Sequence, residues 1–286
     1  MAPILLYDTT VHYKRENEYL KYEGRITMIG NFAEAFAGIF GGLLAVYSLR
    51  FPFYAQACVA FIGIPAAFAL QEFNTKGKIQ SPVTEIVRII KYSLFTNRRL
   101  CCNIMYSGII GAATLTMAWF VQPVLMHLDT PTSWFGVIWT VLNLTVGVAA
   151  LYSDKIEHRL GMNKMNLLIL VFIAGGYLAL AYNLTYWGLA ILLLFYIVRG
   201  FATPVLKGYI NQLTFSDMRA TVLSIRNFII RLMFAGAAPF VGWLNDMYSL
   251  KTALLASAGI IFLPGIIFLV LSFEVNHKKE ETEKTE

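Results

Sequence analysis

Asp154-Lys155-Ile-Glu157-His158-Arg159-Leu-Gly161-Met-Asn-Lys164, followed closely by Leu167-Leu-Ile-Leu-Val-Phe-Ile173, decides how this chain folds. A charged turn passes directly into an apolar run that does not alternate. A barrel strand would alternate over about ten residues. A segment in lipid must bond its own backbone polar groups, so the run reads as a helix. The turn needs a glycine for positive φ, and Gly161 supplies one. It also places an acid near the start of one helix and bases near the end of another, where helix dipoles and lipid surface charge favour them.

The same pattern repeats outward from this turn. Apolar runs lie at about 26–48, 53–70, 101–126, 133–152, 165–183, 187–207, 220–244 and 252–273. Each is near the roughly 20 residues that cross a bilayer as a helix. The 286 residues are 57% hydrophobic and only 14% charged, where soluble domains run near a quarter charged. The fold class is therefore all-α, a polytopic membrane bundle of about eight transmembrane helices.

The formal charge of +6 sits in alternate loops. Lys14, Arg15, Lys21 and Arg25 precede the first run. Lys76, Lys78, Arg88, Lys91, Arg98 and Arg99 separate the second from the third, and Lys155, Arg159 and Lys164 the fourth from the fifth. Lys207 and Arg219 separate the sixth from the seventh, while Lys278, Lys279 and Lys284 follow the eighth. The other loops hold only Arg50 and Lys251. This positive-inside bias implies a cell-membrane protein with both termini cytoplasmic, and it argues against nucleic acid as a partner. The first 25 residues contain no signal-peptide h-region. Cys58, Cys101 and Cys102 have neither metal nor redox spacing.

The longest break divides the chain. Residues 1–23 read as a cytoplasmic segment with a mixed-charge helical surface, and 24–71 as two transmembrane helices. Residues 72–100 form a cytoplasmic linker, turn-like from Asn74 to Pro82. Within it, Val83, Ile86, Val87, Ile90 and Leu94 share one face of an amphipathic helix, expected on the membrane surface. Residues 101–274 are six helices, and 275–286 a charged cytoplasmic tail. Gly38 and Gly42 form a small-xxx-small pair that permits close helix approach. Thr214-Phe-Ser-Asp217 reads as a capping box for the seventh run, and Pro204 as a kink near the end of the sixth.

Asp154, Lys155, Arg159, Gly161 and Lys164 resemble the cytoplasmic loop motif of the major facilitator superfamily, in its charges and its turn. The likeness departs at Ala150, where that family's leading glycine is expected, and in about three extra residues before Gly161. Arg199-Gly-Phe-Ala-Thr-Pro-Val-Leu-Lys-Gly-Tyr-Ile-Asn211, running to Arg219-Ala-Thr-Val-Leu-Ser-Ile-Arg226, is similar to the tenth-to-eleventh helix region of a bacterial branch of the family. Leu5-Leu-Tyr-Asp8 with Gly24-Arg25 resembles the approach to its fifth helix. The resemblance implies an incomplete version of that fold: two helices of the N-terminal bundle, the linker, and the six-helix C-terminal bundle, or helices five to twelve. It implies a gradient-driven secondary transporter of a small solute. The alternative is a truncated or split remnant that acts as a non-transporting membrane interaction module. The missing helices would then come from another chain.

Ionisable groups inside spans are functional candidates. Glu34, Arg199 and Arg231 are such groups. Glu34 is a candidate for proton or other ion coupling, and Arg199 or Arg231 for binding an anionic solute. The structural alternatives are interhelical pairing or solvation in a water-filled cavity. Gln56, Asn103, Gln122, Asn143 and Asn227 either line such a cavity or bridge helices. Trp119, Trp134, Trp139, Tyr182, Tyr186 and Trp187 read mainly as an aromatic belt, with a substrate cage as the other reading. No hydrolase, zincin or phosphate-loop motif is present, so neither an enzyme nor a cofactor is expected. The expected partners are lipid, a small solute and a coupling ion.

Overall fold

The computed structural model describes the chain except residues 1–5, 8–9, 11–14, 16–17, 49, 69–81, 132–133 and 286. The turn expected at 74–81, together with Leu5 and Asp8, lies outside the described residues. Among the described residues every regular element is helical. They are α1 (Tyr19–Tyr47), α2 (Phe51–Phe68), α3 (Pro82–Lys91), α4 (Arg98–His127), α5 (Phe135–Leu151), α6 (Ser153–Tyr182), α7 (Gly188–Gln212), α8 (Arg219–Met247) and α9 (Leu250–Thr285). Each of the eight apolar runs falls on its own helix. Among the described residues, five helices are long and apolar enough to cross a membrane: α4, α6, α7, α8 and α9 through Glu274. Phe51–Pro65 and Phe135–Leu151 are shorter apolar helices.

α4 sits centrally, against α9, α8 and α7. Its start is fixed locally, because Asn97 Oδ1 accepts from the Leu100 amide at 3.0 Å and satisfies one of the first-turn donors. The main core gathers Met117, Val124, Ile169, Ile173, Tyr177, Leu192, Phe195 and Leu254 from α4, α6, α7 and α9. Two tyrosines tie α4 to α6. Tyr106 donates to the Asn166 carbonyl, and Tyr177 donates to the Ala113 carbonyl at 2.7 Å. Each buries a large apolar ring while leaving its hydroxyl satisfied.

α1 packs most extensively on α5, and α5 in turn on α7. Glycine makes both seams possible. A Cβ at Gly24 would run into the Ala150 carbonyl. A Cβ at Gly200 would stand 2.6 Å from the Val146 carbonyl oxygen and 2.7 Å from the Ala149 Cβ. The expected contact at Gly38 is looser, since a Cβ there would lie 3.9 Å from Thr140 Oγ1. α2 packs chiefly on α1, and most of its described side chains are exposed.

Gly161 takes φ +72° and ψ 166°, which breaks α6 into a short charged helix and a long apolar one. This is the turn the sequence requires. The capping box does not form. Thr214 Oγ1 donates backwards to the Ile210 carbonyl at 2.7 Å, and α8 starts with Met218 at its N-cap and no side-chain cap. A free carbonyl at the end of α7 competes for the same hydroxyl and wins. α7 runs on past Pro204 to Gln212.

The amphipathic segment forms α3, followed by a π-helical turn at Tyr92–Thr96. Ile89 is the side chain of α3 that buries, against Leu100, Ile104, Ile210, Val222 and Leu223. Ile86 and Val87, from the expected apolar face, are exposed. Ile90 and Leu94 of the expected face pack beside Ile89 on this cluster, so the helix rests on the bundle along one edge of that face. α9 carries the charged stretch after 274 as a continuous helix to Thr285.

Candidate functional site

A cavity of about 560 Å³ opens between α1, α4, α5 and α7. Glu34 enters it from α1; Trp119 and Gln122 from α4; Phe135 and Trp139 from α5; Arg199 from α7. Its size falls within the roughly 300–1,000 Å³ of small-molecule sites. Arg199 lies about 18 Å along α7 from Trp187, at about 1.5 Å per residue. The cavity thus reaches the depth of a bilayer interior.

A second cavity, of about 400 Å³ between α4, α8 and α9, has a different chemistry. Met105, Ile109, Leu232, Met233 and Phe268 dominate its walls. Its hydroxyls are already committed: Thr116 donates to the Ala112 carbonyl and Ser257 to the Ala253 carbonyl. Of the two, the cavity holding Glu34 and Arg199 joins opposite charges, an amide and aromatic rings.

Arg199 is half-buried. Its Nη1 is enclosed. The guanidinium carbon lies 5.3 Å from the ring centre of Tyr196, within cation–π range. The Tyr196 hydroxyl is likewise enclosed and lies beside the same guanidinium. Glu34 is exposed. Among the described residues, no ion pair involves Glu34 or Arg199. The two charges share a cavity without neutralising each other by contact.

Arg231 is exposed on α8 and does not line this cavity. Gln122 does; Gln56, Asn103, Asn143 and Asn227 do not. Asn103 donates to the Arg99 carbonyl and Asn143 to the Trp139 carbonyl, within their own helices. Trp134, Tyr182, Tyr186 and Trp187 are exposed. Trp119 is also largely exposed, yet one side of it lines the cavity with Trp139.

Below the cavity, towards the end that carries the basic loops, a second polar cluster joins α1 to α7 and α8. Lys207 Nζ meets Glu23 Oε1 at 2.9 Å. Asn211 Nδ2 donates to the Tyr19 hydroxyl at 2.9 Å. Burial, and then the nearby Glu23 carboxylate, push the Tyr19 phenol above its usual range. The Arg219 guanidinium lies 3.9 Å from the Tyr7 ring centre. Arg226 Nε donates to Ser107 Oγ at 2.6 Å, linking α8 to α4. Arg226 is buried, with Ser107 as its internal acceptor.

The loop motif lies at this same end. Asp154 and Glu157 flank His158 at 3.4 and 3.5 Å. Lys155 Nζ lies 5.9 Å from the Tyr152 ring centre. Arg159, Gly161 and Lys164 are exposed. Glu157, which lies outside the motif, is the residue that reaches another helix, accepting from the Tyr209 hydroxyl at 3.0 Å. Glu23, Lys207 and Tyr19 carried no sequence signal, since nothing local distinguishes a charge at a helix end from one paired across 184 positions.

Among the described residues, no group of three or more His, Cys, Asp or Glu side chains could hold a metal ion. No individually curated protein matches the chain. Residues 10–236, well over half of its length, match the family model described as Major Facilitator Superfamily. The chain belongs to that family, and is accordingly a multi-pass membrane protein of secondary transport rather than an enzyme.

Proposed function

We propose that this member of the Major Facilitator Superfamily binds a small polar solute in the cavity between α1, α4, α5 and α7, and moves it down or against a gradient coupled to an ion. The observation that carries the reading is that Glu34 and Arg199, from distant parts of the sequence, line one cavity. Intramembrane charges persist where they serve a solute or proton path. The Glu23–Lys207 and Tyr19–Asn211 bonds join α1 to α7 beneath that cavity. They close it towards the basic end, and must break when it opens there. Alternating access of this kind rocks one group of helices against another around a fixed site.

The charge alternation supports a cell-membrane location with both termini and the basic loops in the cytoplasm. The division into two helices, a basic connection and six helices supports a register at positions five to twelve of the family's twelve. Glu34 is a candidate cavity or coupling group and Arg199 the candidate solute-binding group. The motif Asp154, Lys155, Arg159, Gly161 and Lys164 shapes the turn at the cytoplasmic face.

The test is ion-gradient-driven uptake of a labelled solute panel by membranes containing the full chain. At least one solute should accumulate, and Arg199→Ala should lower its uptake about tenfold or more while membrane insertion is unchanged. Unchanged uptake by that variant would remove Arg199 from the path. No uptake of any solute would favour the non-transporting interaction module.

A further inference from the structure

We infer that the solute of this cavity is a zwitterion with an apolar or aromatic body, its anionic group on Arg199 and its cationic group facing Glu34. This deepens the transport reading above and rests on it.

The walls carry one basic and one acidic side chain, Arg199 and Glu34. As it stands the cavity is neutral. A simple anion would leave it with an unbalanced negative charge, and a simple cation with a positive one. Around Arg199, which is half-buried among largely apolar walls, that imbalance is costly. A zwitterion keeps the sum at zero while giving each wall charge a partner.

The partners are needed separately, because the two side chains form no ion pair with each other. Arg199 Nη1 is enclosed with the Tyr196 hydroxyl beside the guanidinium, so the part of the fork that lines the cavity is what meets a solute. The planar fork suits a carboxylate, which it can hold through two parallel bonds. The remaining surface is set by Trp119, Phe135 and Trp139, with Leu115, Val121 and Leu125. These rings match an apolar or aromatic body, and a ring face also favours an ammonium group that approaches Glu34. Gln122 adds one amide that can donate or accept. At about 560 Å³ the cavity has room for a solute of amino-acid or short-peptide size.

The experiment compares three probes that share a phenyl body and differ only in charge: phenylalanine, 3-phenylpropionate and phenethylamine. Each is titrated calorimetrically into the purified full chain in lipid nanodiscs. Phenylalanine should bind about tenfold or more tighter than either singly charged probe, the factor expected of one charged hydrogen-bonded contact. Arg199→Gln should erase its advantage over phenethylamine, and Glu34→Gln its advantage over 3-phenylpropionate. Helicity and thermal midpoint confirm that both variants fold. The probe order in the unsubstituted protein stands independently of them.

If 3-phenylpropionate binds as tightly as phenylalanine, the solute is an anion and the inference fails. If phenethylamine does, the solute is a cation and it fails equally. If none of the three binds, the class is wrong. The transport reading is judged apart from these outcomes, by whether the solute panel is accumulated and whether Arg199→Ala stops it.

Discussion

Replacing Lys207 by methionine removes the charge that faces Glu23 while keeping a long apolar stem. The Glu23 side chain is 1% exposed and that of Lys207 is 22% exposed, with 2.9 Å between Nζ and Oε1. At that distance the attraction is about 6 kcal/mol for an effective dielectric of about 20. Much of this offsets the cost of taking the two ions out of water. The measurable quantity is therefore the cost of leaving one charge buried alone, about 3–5 kcal/mol. Glu23 Oε2 is enclosed, and besides Lys207 the carboxylate has the Tyr19 hydroxyl beside it. Arg226 attracts it at longer range, which places Lys207→Met at the lower end, about 3 kcal/mol. At about 2–4 °C per kcal/mol, the thermal midpoint of the purified chain should fall by about 6–12 °C. Glu23→Gln should cost less, because Lys207 can still reach water. The double variant Glu23→Gln/Lys207→Met should recover at least half of the loss. A double variant no more stable than Lys207→Met alone, or a Glu23→Gln as damaging as Lys207→Met, would show that packing rather than charge accounts for the effect.

The helix seams make a paired prediction. Gly200→Ala should destabilise by about 1–3 kcal/mol, because its Cβ meets Val146 and Ala149 at 2.6–2.7 Å. Gly236→Ala, where a Cβ meets nothing within 4 Å, should be neutral or stabilising by up to about 1 kcal/mol; thermal unfolding compares the two. Gly161→Ala should cost about 1–3 kcal/mol through backbone strain alone, since φ is +72° and the space around it is open. Gly161→Asn should not rescue it, because ψ of 166° lies outside the left-handed helical region.

Much of this architecture is legible from residue order. Lipid imposes a length and a lack of alternation on each span, so α1, α2 and α4 to α9 appear as apolar runs before any coordinates exist. Gly161 is legible for a similar reason, since a sharp turn between charged residues admits few alternatives. The pairing of Glu34 with Arg199 in one cavity is only half legible. Depth along a helix follows from counting residues, but direction around its axis depends on which neighbour packs where. Counting alone therefore ranks Arg231 with Arg199, whereas packing separates them. The capping box at Thr214 fails because its hydroxyl has a nearer acceptor, the Ile210 carbonyl, contributed by the preceding helix. Gly24 and Gly200 looked like any other glycine until Ala150 and Val146 were placed against them.

The central claim is that a polar path, not a lipid-filled cleft, runs past Gln122, and that it opens to each side of the membrane in turn. The direct measurement is modification of Gln122→Cys by a charged, membrane-impermeant thiol reagent, with Cys58, Cys101 and Cys102 replaced by alanine. Right-side-out and inverted vesicles are labelled in parallel, with Leu263→Cys, on an exposed apolar position of α9, as the lipid-facing control. The account predicts that Gln122→Cys is modified from both sides and Leu263→Cys from neither. Modification of Gln122→Cys from one side only, or from neither, would contradict it.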